Sequence, residues 1–82
     1  MSKNAQQRQQ ILQVLYTQRQ AEAGQLQKDG WLAEAKLKDA VDDIPFALSV
    51  LIELGYVIRD GYKLRITGQG VLACEVELDK TP

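Results

Sequence analysis

The chain has 82 residues, room for one domain and no more. With 45% hydrophobic and 26% charged residues it is too apolar for a disordered chain, and its longest apolar run is far too short to cross a bilayer. A formal charge of −1 argues against avid non-specific DNA binding, and one cysteine with no histidine leaves no intrachain disulfide and little basis for a metal site.

Met1 is followed by polar Ser2, Lys3 and Asn4, so no secretory leader is expected. From Gln6 to Gln27 glutamine is heavily used, but Ile11, Leu12, Leu15 and Tyr16 interrupt it at helical spacing. This predicts a first helix over about residues 4–22, with Gly24 as its stop. Residues 23–30 are polar, carry two glycines and read as a loop, after which Gly30-Trp31-Leu32 supplies a very short strand.

Leu32 to Val41 reads as a second helix with Ala33, Leu37, Ala40 and Val41 on one face. Asp42-Asp43-Ile44-Pro45 then breaks the chain and starts a third helix running to about Leu54. Asp43 is expected to cap it through a side-chain hydrogen bond, Pro45 fits its first turn, and Gly55 ends it in a left-handed conformation.

Tyr56-Val57-Ile58-Arg59 and Tyr62-Lys63-Leu64-Arg65-Ile66 flank Asp60-Gly61, the pattern of a hairpin with a two-residue type I′ turn. That turn pairs Arg59 with Tyr62 and Val57 with Leu64, leaving Tyr56, Ile58, Lys63 and Arg65 on the opposite face. Thr67 caps a last helix through about Glu77, with Val71, Leu72 and Cys74 as its apolar contribution, and residues 78–82 are expected to fray. Cys74 reads as a buried small hydrophobe, which suits a reducing cytoplasm. The expected core closes Leu37, Val41, Leu48, Leu51 and Leu54 against Ile11, Leu12 and Leu15, with Val57, Leu64 and Ile66 as its lid.

Two stretches carry a family resemblance. Leu51-Ile52-Glu53-Leu54-Gly55-Tyr56-Val57-Ile58-Arg59 resembles the end of a recognition helix running into a wing. Tyr62-Lys63-Leu64-Arg65-Ile66-Thr67-Gly68-Gln69-Gly70 resembles the second wing strand and the "Leu-Thr-x-x-Gly" start of the next helix, with Ile66 in the Leu place. Together with the element order they resemble the winged helix-turn-helix family. The expected fold class is therefore α+β, mainly α: a three-helix bundle, a β-hairpin wing and a C-terminal helix, all one domain over 1–82 with an ordered core of about 4–77.

The resemblance implies a small DNA-binding regulator whose third helix enters the major groove of double-stranded DNA. Ser49 would then approach bases, while Arg59, Lys63 and Arg65 on the wing, Lys36 and Lys38 on the second helix, and Lys3 and Arg8 near the first helix would hold phosphates. The third helix departs from that pattern, because its outward positions are Phe46, Ser49, Val50 and Glu53 behind Asp42 and Asp43.

The same residues support a second reading, a protein-interaction module in which Phe46, Val50 and Glu53 meet a protein partner. That reading requires Phe46 to stand exposed rather than tuck under Trp31 or the wing. Either reading is compatible with a homodimer joined through the Gln-rich first helix or the acidic last helix. Neither catalytic pairs nor a phosphate-binding glycine loop are present, so an enzyme, a cofactor, a metal and a membrane partner are not expected.

Overall fold

The computed structural model describes residues 3–25 and 29–80, the last four as backbone alone. The middle of the loop expected at 23–30 and the final two residues lie outside the described residues. In chain order the elements are α1 (Lys3–Ala21), β1 (Leu32–Ala33), α2 (Glu34–Ala40), α3 (Ile44–Glu53), β2 (Val57–Asp60), β3 (Lys63–Ile66) and α4 (Gly68–Lys80). The result is an α+β domain, mainly helical, with one antiparallel sheet in the order β1-β3-β2.

The first helix follows its apolar spacing. Gln7, Ile11, Leu12 and Leu15 are its buried positions, and the one polar member among them is satisfied because Gln7 Nε2 donates to the Asp42 carbonyl at 3.1 Å. Leu37, Val41, Ile44, Ala47, Leu48 and Leu51 close on that face, and Val57, Leu64, Ile66 and Cys74 complete the core. The sheet's inner face, through Val57, Leu64 and Ile66, covers the open side of the helices.

The hairpin forms where the sequence places it, but in another register. Val57 pairs with Ile66, Ile58 with Arg65, Arg59 with Leu64 and Asp60 with Lys63. The turn residues are Gly61 and Tyr62, and Gly61 takes φ 61° while Tyr62 is not among the positive-φ residues. A glycine at the first central position is the type II′ arrangement, against the type I′ expected with glycine second. The two-residue shift leaves every side chain on its expected face, since strand faces alternate with period two. Val57, Leu64 and Ile66 are buried as required.

Six other expectations are corrected. The second helix starts at Glu34, because Leu32 and Ala33 pair with Leu64 and Lys63 as the strand β1. Within it Leu37 is buried but Ala40 is exposed, so the apolar face is narrower than its spacing suggests. Asp43 precedes α3 in a left-handed conformation with φ 55°, makes no capping hydrogen bond, and instead meets Lys3 Nζ at 3.3 Å. Leu54 is the residue after α3 and is 52% exposed, while Leu72 on α4 is 65% exposed; neither belongs to the core. The last helix continues through Lys80 rather than ending near Glu77.

The left-handed stop at Gly55 has φ 82°. Thr67 caps α4 as its position predicts: its Oγ1 accepts from the Gly70 N–H at 3.1 Å and donates to the Gly55 carbonyl at 2.6 Å.

Candidate interaction surface

The hairpin and α2 carry most of the cations expected to touch phosphate, and the fold engages several of them internally. Arg59 lies on the strand face that turns toward the bundle. Its guanidinium reaches back to the first turn of α2, with Nη2 on Glu34 Oε2 at 3.0 Å and Nη1 on Glu34 Oε1 at 3.3 Å. This two-point contact holds the Glu34 carboxyl below its ordinary pKa, with the Arg59 and Lys38 charges adding to the hydrogen bond against partial desolvation.

Arg65 is claimed on the other side of the hairpin. Its Nη2 meets Asp29 Oδ2 at 2.9 Å and its Nε donates to the Asp29 carbonyl. Lys63 stands with its ammonium 5.6 Å from the Tyr62 ring centroid, a cation–π contact at the hairpin tip. Lys36 and Lys38 are exposed on α2, and Lys36 shares a cleft with Lys63, Trp31 and Glu22. Of the seven expected phosphate contacts, the structure ties down Arg59 and Arg65, pairs Lys3 with Asp43, and leaves Arg8, Lys36, Lys38 and Lys63 without an ion pair among the described residues.

Ser49 points outward on α3, but its hydroxyl donates to the Phe46 carbonyl one turn back at 2.7 Å. Such a back-bond occupies the donor a base edge would need. Phe46 does not tuck under Trp31 or the wing: it is 60% exposed. Val50 is half-buried beside it and Glu53 is exposed. The helix from Ile44 to Glu53 contains no lysine or arginine.

Leu54 extends this surface. Phe46, Val50 and Leu54 follow at i, i+4 and i+8, one continuous stripe along α3. Leu54 also lines a cleft of about 290 Å³ between α3, α1 and α4, walled by Ala5, Arg8, Leu12, Tyr56 and Ala73. Sequence periodicity had assigned Leu54 to the core, and neither the cleft nor Arg8's place in it was anticipated. The signal was available in part, since the same spacing that links Phe46 to Val50 continues to Leu54.

A second outward apolar pair lies on α4, where Leu72 and Val76 are 65% and 52% exposed, one turn apart on the side away from buried Cys74. Among the described residues no group of three or more His, Cys, Asp or Glu side chains is placed to hold a metal ion. Among the described residues, no helix is long and apolar enough to cross a membrane.

A search of protein-family models, of curated proteins and of solved structures finds no match to the chain.

Proposed function

We propose that the chain is a winged helix-turn-helix domain that acts as a protein-interaction module through the outward face of α3. The winged-helix reading is supported by the element order, by the β1-β3-β2 sheet, and by a hairpin whose inner residues seal the three-helix core. Fold alone does not choose between DNA and protein, so the choice falls to the surface of α3.

One observation carries it. The helix that would read a major groove presents an exposed phenylalanine and no cation of its own, with Asp42 and Glu53 around it and Asp43 paired with Lys3. A phosphate backbone repels such a face, whereas a protein surface can bury the ring and pair the carboxylates. The DNA alternative retains Lys36, Lys38 and Lys63, but Arg59 and Arg65 would first have to leave Glu34 and Asp29.

Replacing Phe46 by the photo-crosslinking p-benzoylphenylalanine in cells tests the reading directly. Protein adducts are expected at that position. Adducts to DNA, or none, would overturn it. Fluorescence anisotropy with duplex DNA at low salt gives a second measure: no salt-sensitive binding is expected at micromolar protein, and a steep salt dependence abolished by Lys36→Glu with Lys63→Glu would restore the DNA reading.

A further inference from the structure

The stripe on α3 reads the same in both directions. Val50 is its midpoint, with an apolar side chain one turn before it at Phe46 and one turn after it at Leu54. The outer two lie roughly 12 Å apart at 1.5 Å per helical residue. Two such helices laid antiparallel across a two-fold axis at Val50 bring each Phe46 opposite the other copy's Leu54. Leu54 is not an isolated residue there, because it forms one wall of the 290 Å³ cleft with Ala5, Arg8, Leu12, Tyr56 and Ala73. That volume is near the lower end of cavities that hold small organic groups, a size comparable with one aromatic side chain.

Charge selects the occupant. Arg8 is half-buried in that cleft, and among the described residues it has no ion pair or hydrogen bond. A ring entering the cleft would meet its guanidinium, and carboxylates flanking the ring would neutralise it. The chain itself carries that combination: exposed Phe46 with Asp42 just before it, and with Asp43, which is shared with Lys3. A parallel arrangement would instead stack Asp42 and Asp43 on their own copies. Knob and hole are thus both present on one chain, and they complement each other only in the antiparallel sense.

We propose that the protein-facing surface of α3 pairs with the same surface of a second copy, each Phe46 seated in the cleft beside the other's Leu54 and Arg8. This rests on the reading of α3 as a protein-binding face and narrows it to one partner.

Sedimentation equilibrium of the purified full chain, from micromolar to near-millimolar, measures the association. Twice the 9.2 kDa chain mass is expected at the upper end. Phe46→Asp and Leu54→Asp should each weaken the dimer by about tenfold or more, and Arg8→Ala by several-fold. Because Phe46 and Leu54 are exposed, both aspartate variants should keep the parent's circular dichroism, and its melting curve at concentrations where the parent is monomeric. With p-benzoylphenylalanine at position 46, the adduct of the purified chain should map to residues 5–12 or 51–56 of the other copy. A chain that stays monomeric at all concentrations, or a dimer unaffected by these variants, overturns the two-fold pairing. If that probe then captures a different protein in cells, α3 remains a protein-binding face and only the self-pairing falls. If it captures nothing anywhere, both fall.

Discussion

Arg59 and Glu34 are joined by two hydrogen bonds, at 3.0 and 3.3 Å, that fasten the hairpin to the first turn of α2. The contact spans 25 residues of sequence and replaces what would otherwise be a solvated cation on the hairpin with an internal tie. Glu34 is at the same time well placed at the positive end of the α2 dipole.

The pair makes stability depend on acid. The folded-state carboxyl of Glu34 titrates below its ordinary value because Arg59 donates to its charged form. Its contribution is therefore present above the ordinary carboxylate pKa and is lost as pH falls through the depressed folded value. Both side chains are partly solvated, at 28% and 40% exposure, so the contribution is expected at a few tenths to about 1 kcal/mol. Urea unfolding at pH 7 and again near pH 3 should show a smaller acid loss for Glu34→Gln than for the parent. Equal losses would mean that the pair adds nothing to stability.

Two glycines of α4, only two residues apart, should respond to alanine in opposite ways. A Cβ on Gly70 would stand 2.2 Å from the Tyr56 carbonyl oxygen and 2.6 Å from Ile66 Cγ1. The nearest obstacle is backbone, so the corner between α3 and β2 must move. Gly70→Ala is expected to cost at least about 2 kcal/mol. A Cβ on Gly68 meets nothing within 4 Å, and the residue is the first of the helix. Gly68→Ala should be neutral or stabilise by up to about 1 kcal/mol through the unfolded chain. Melting temperatures of the two variants settle it; a Gly70→Ala protein as stable as the parent would show that the close approach is not tight.

Local signals in the chain were legible, and non-local ones were not. Asp60-Gly61 announced a hairpin, Gly55 a helix stop and Thr67 a cap, each because the backbone geometry at that point demands a particular residue type. The register was ambiguous from sequence, since one glycine suits either central position of a two-residue turn by shifting the pairing two residues. Both choices bury Val57, Leu64 and Ile66, so the hydrophobic pattern cannot separate them.

Leu54 was misplaced for a related reason. Its spacing from Leu51 fits a core stripe, but Ile44, Ala47, Leu48 and Leu51 already fill that face of α3. Phe46 and Glu53 stand exposed on the outer side of α3 as expected, while Val50 between them is half-buried. The neutralisation of Arg59 and Arg65 was invisible, because Glu34 and Asp29 become their neighbours only once β1 and β3 pair.

Cys74 should behave as a packing residue rather than a reactive thiol. Its side chain is fully buried between α4 and the core, and burial pushes its pKa up, with the Glu75 charge adding. Because the unfolded chain gives up the thiol proton first, stability contributed at neutral pH declines as pH rises past the ordinary thiol value. Reaction with an aromatic disulfide reagent at pH 8 should be slow in the native protein and fast in urea, with a native rate that tracks global unfolding. A native rate equal to that of the denatured chain would place the sulfur at the surface.

Thr67 ties the corner after α3 to the start of α4, and its hydroxyl carries much of that tie. The Oγ1 donates to the Gly55 carbonyl at 2.6 Å and accepts from the Gly70 N–H at 3.1 Å, while the Thr67 N–H donates to the Tyr56 carbonyl at 2.9 Å. Thr67→Val keeps the shape and removes the hydroxyl, which strands a carbonyl and an amide that are poorly placed to reach water. The expected loss is about 1–2 kcal/mol. Thr67→Ser retains the oxygen and should recover most of it, which separates the hydrogen bonds from the packing of the methyl group. Denaturant unfolding with an unchanged slope is the measurement, since a changed slope would report on the unfolded state instead. If the valine and serine variants lose the same amount, the methyl and not the hydroxyl holds the corner.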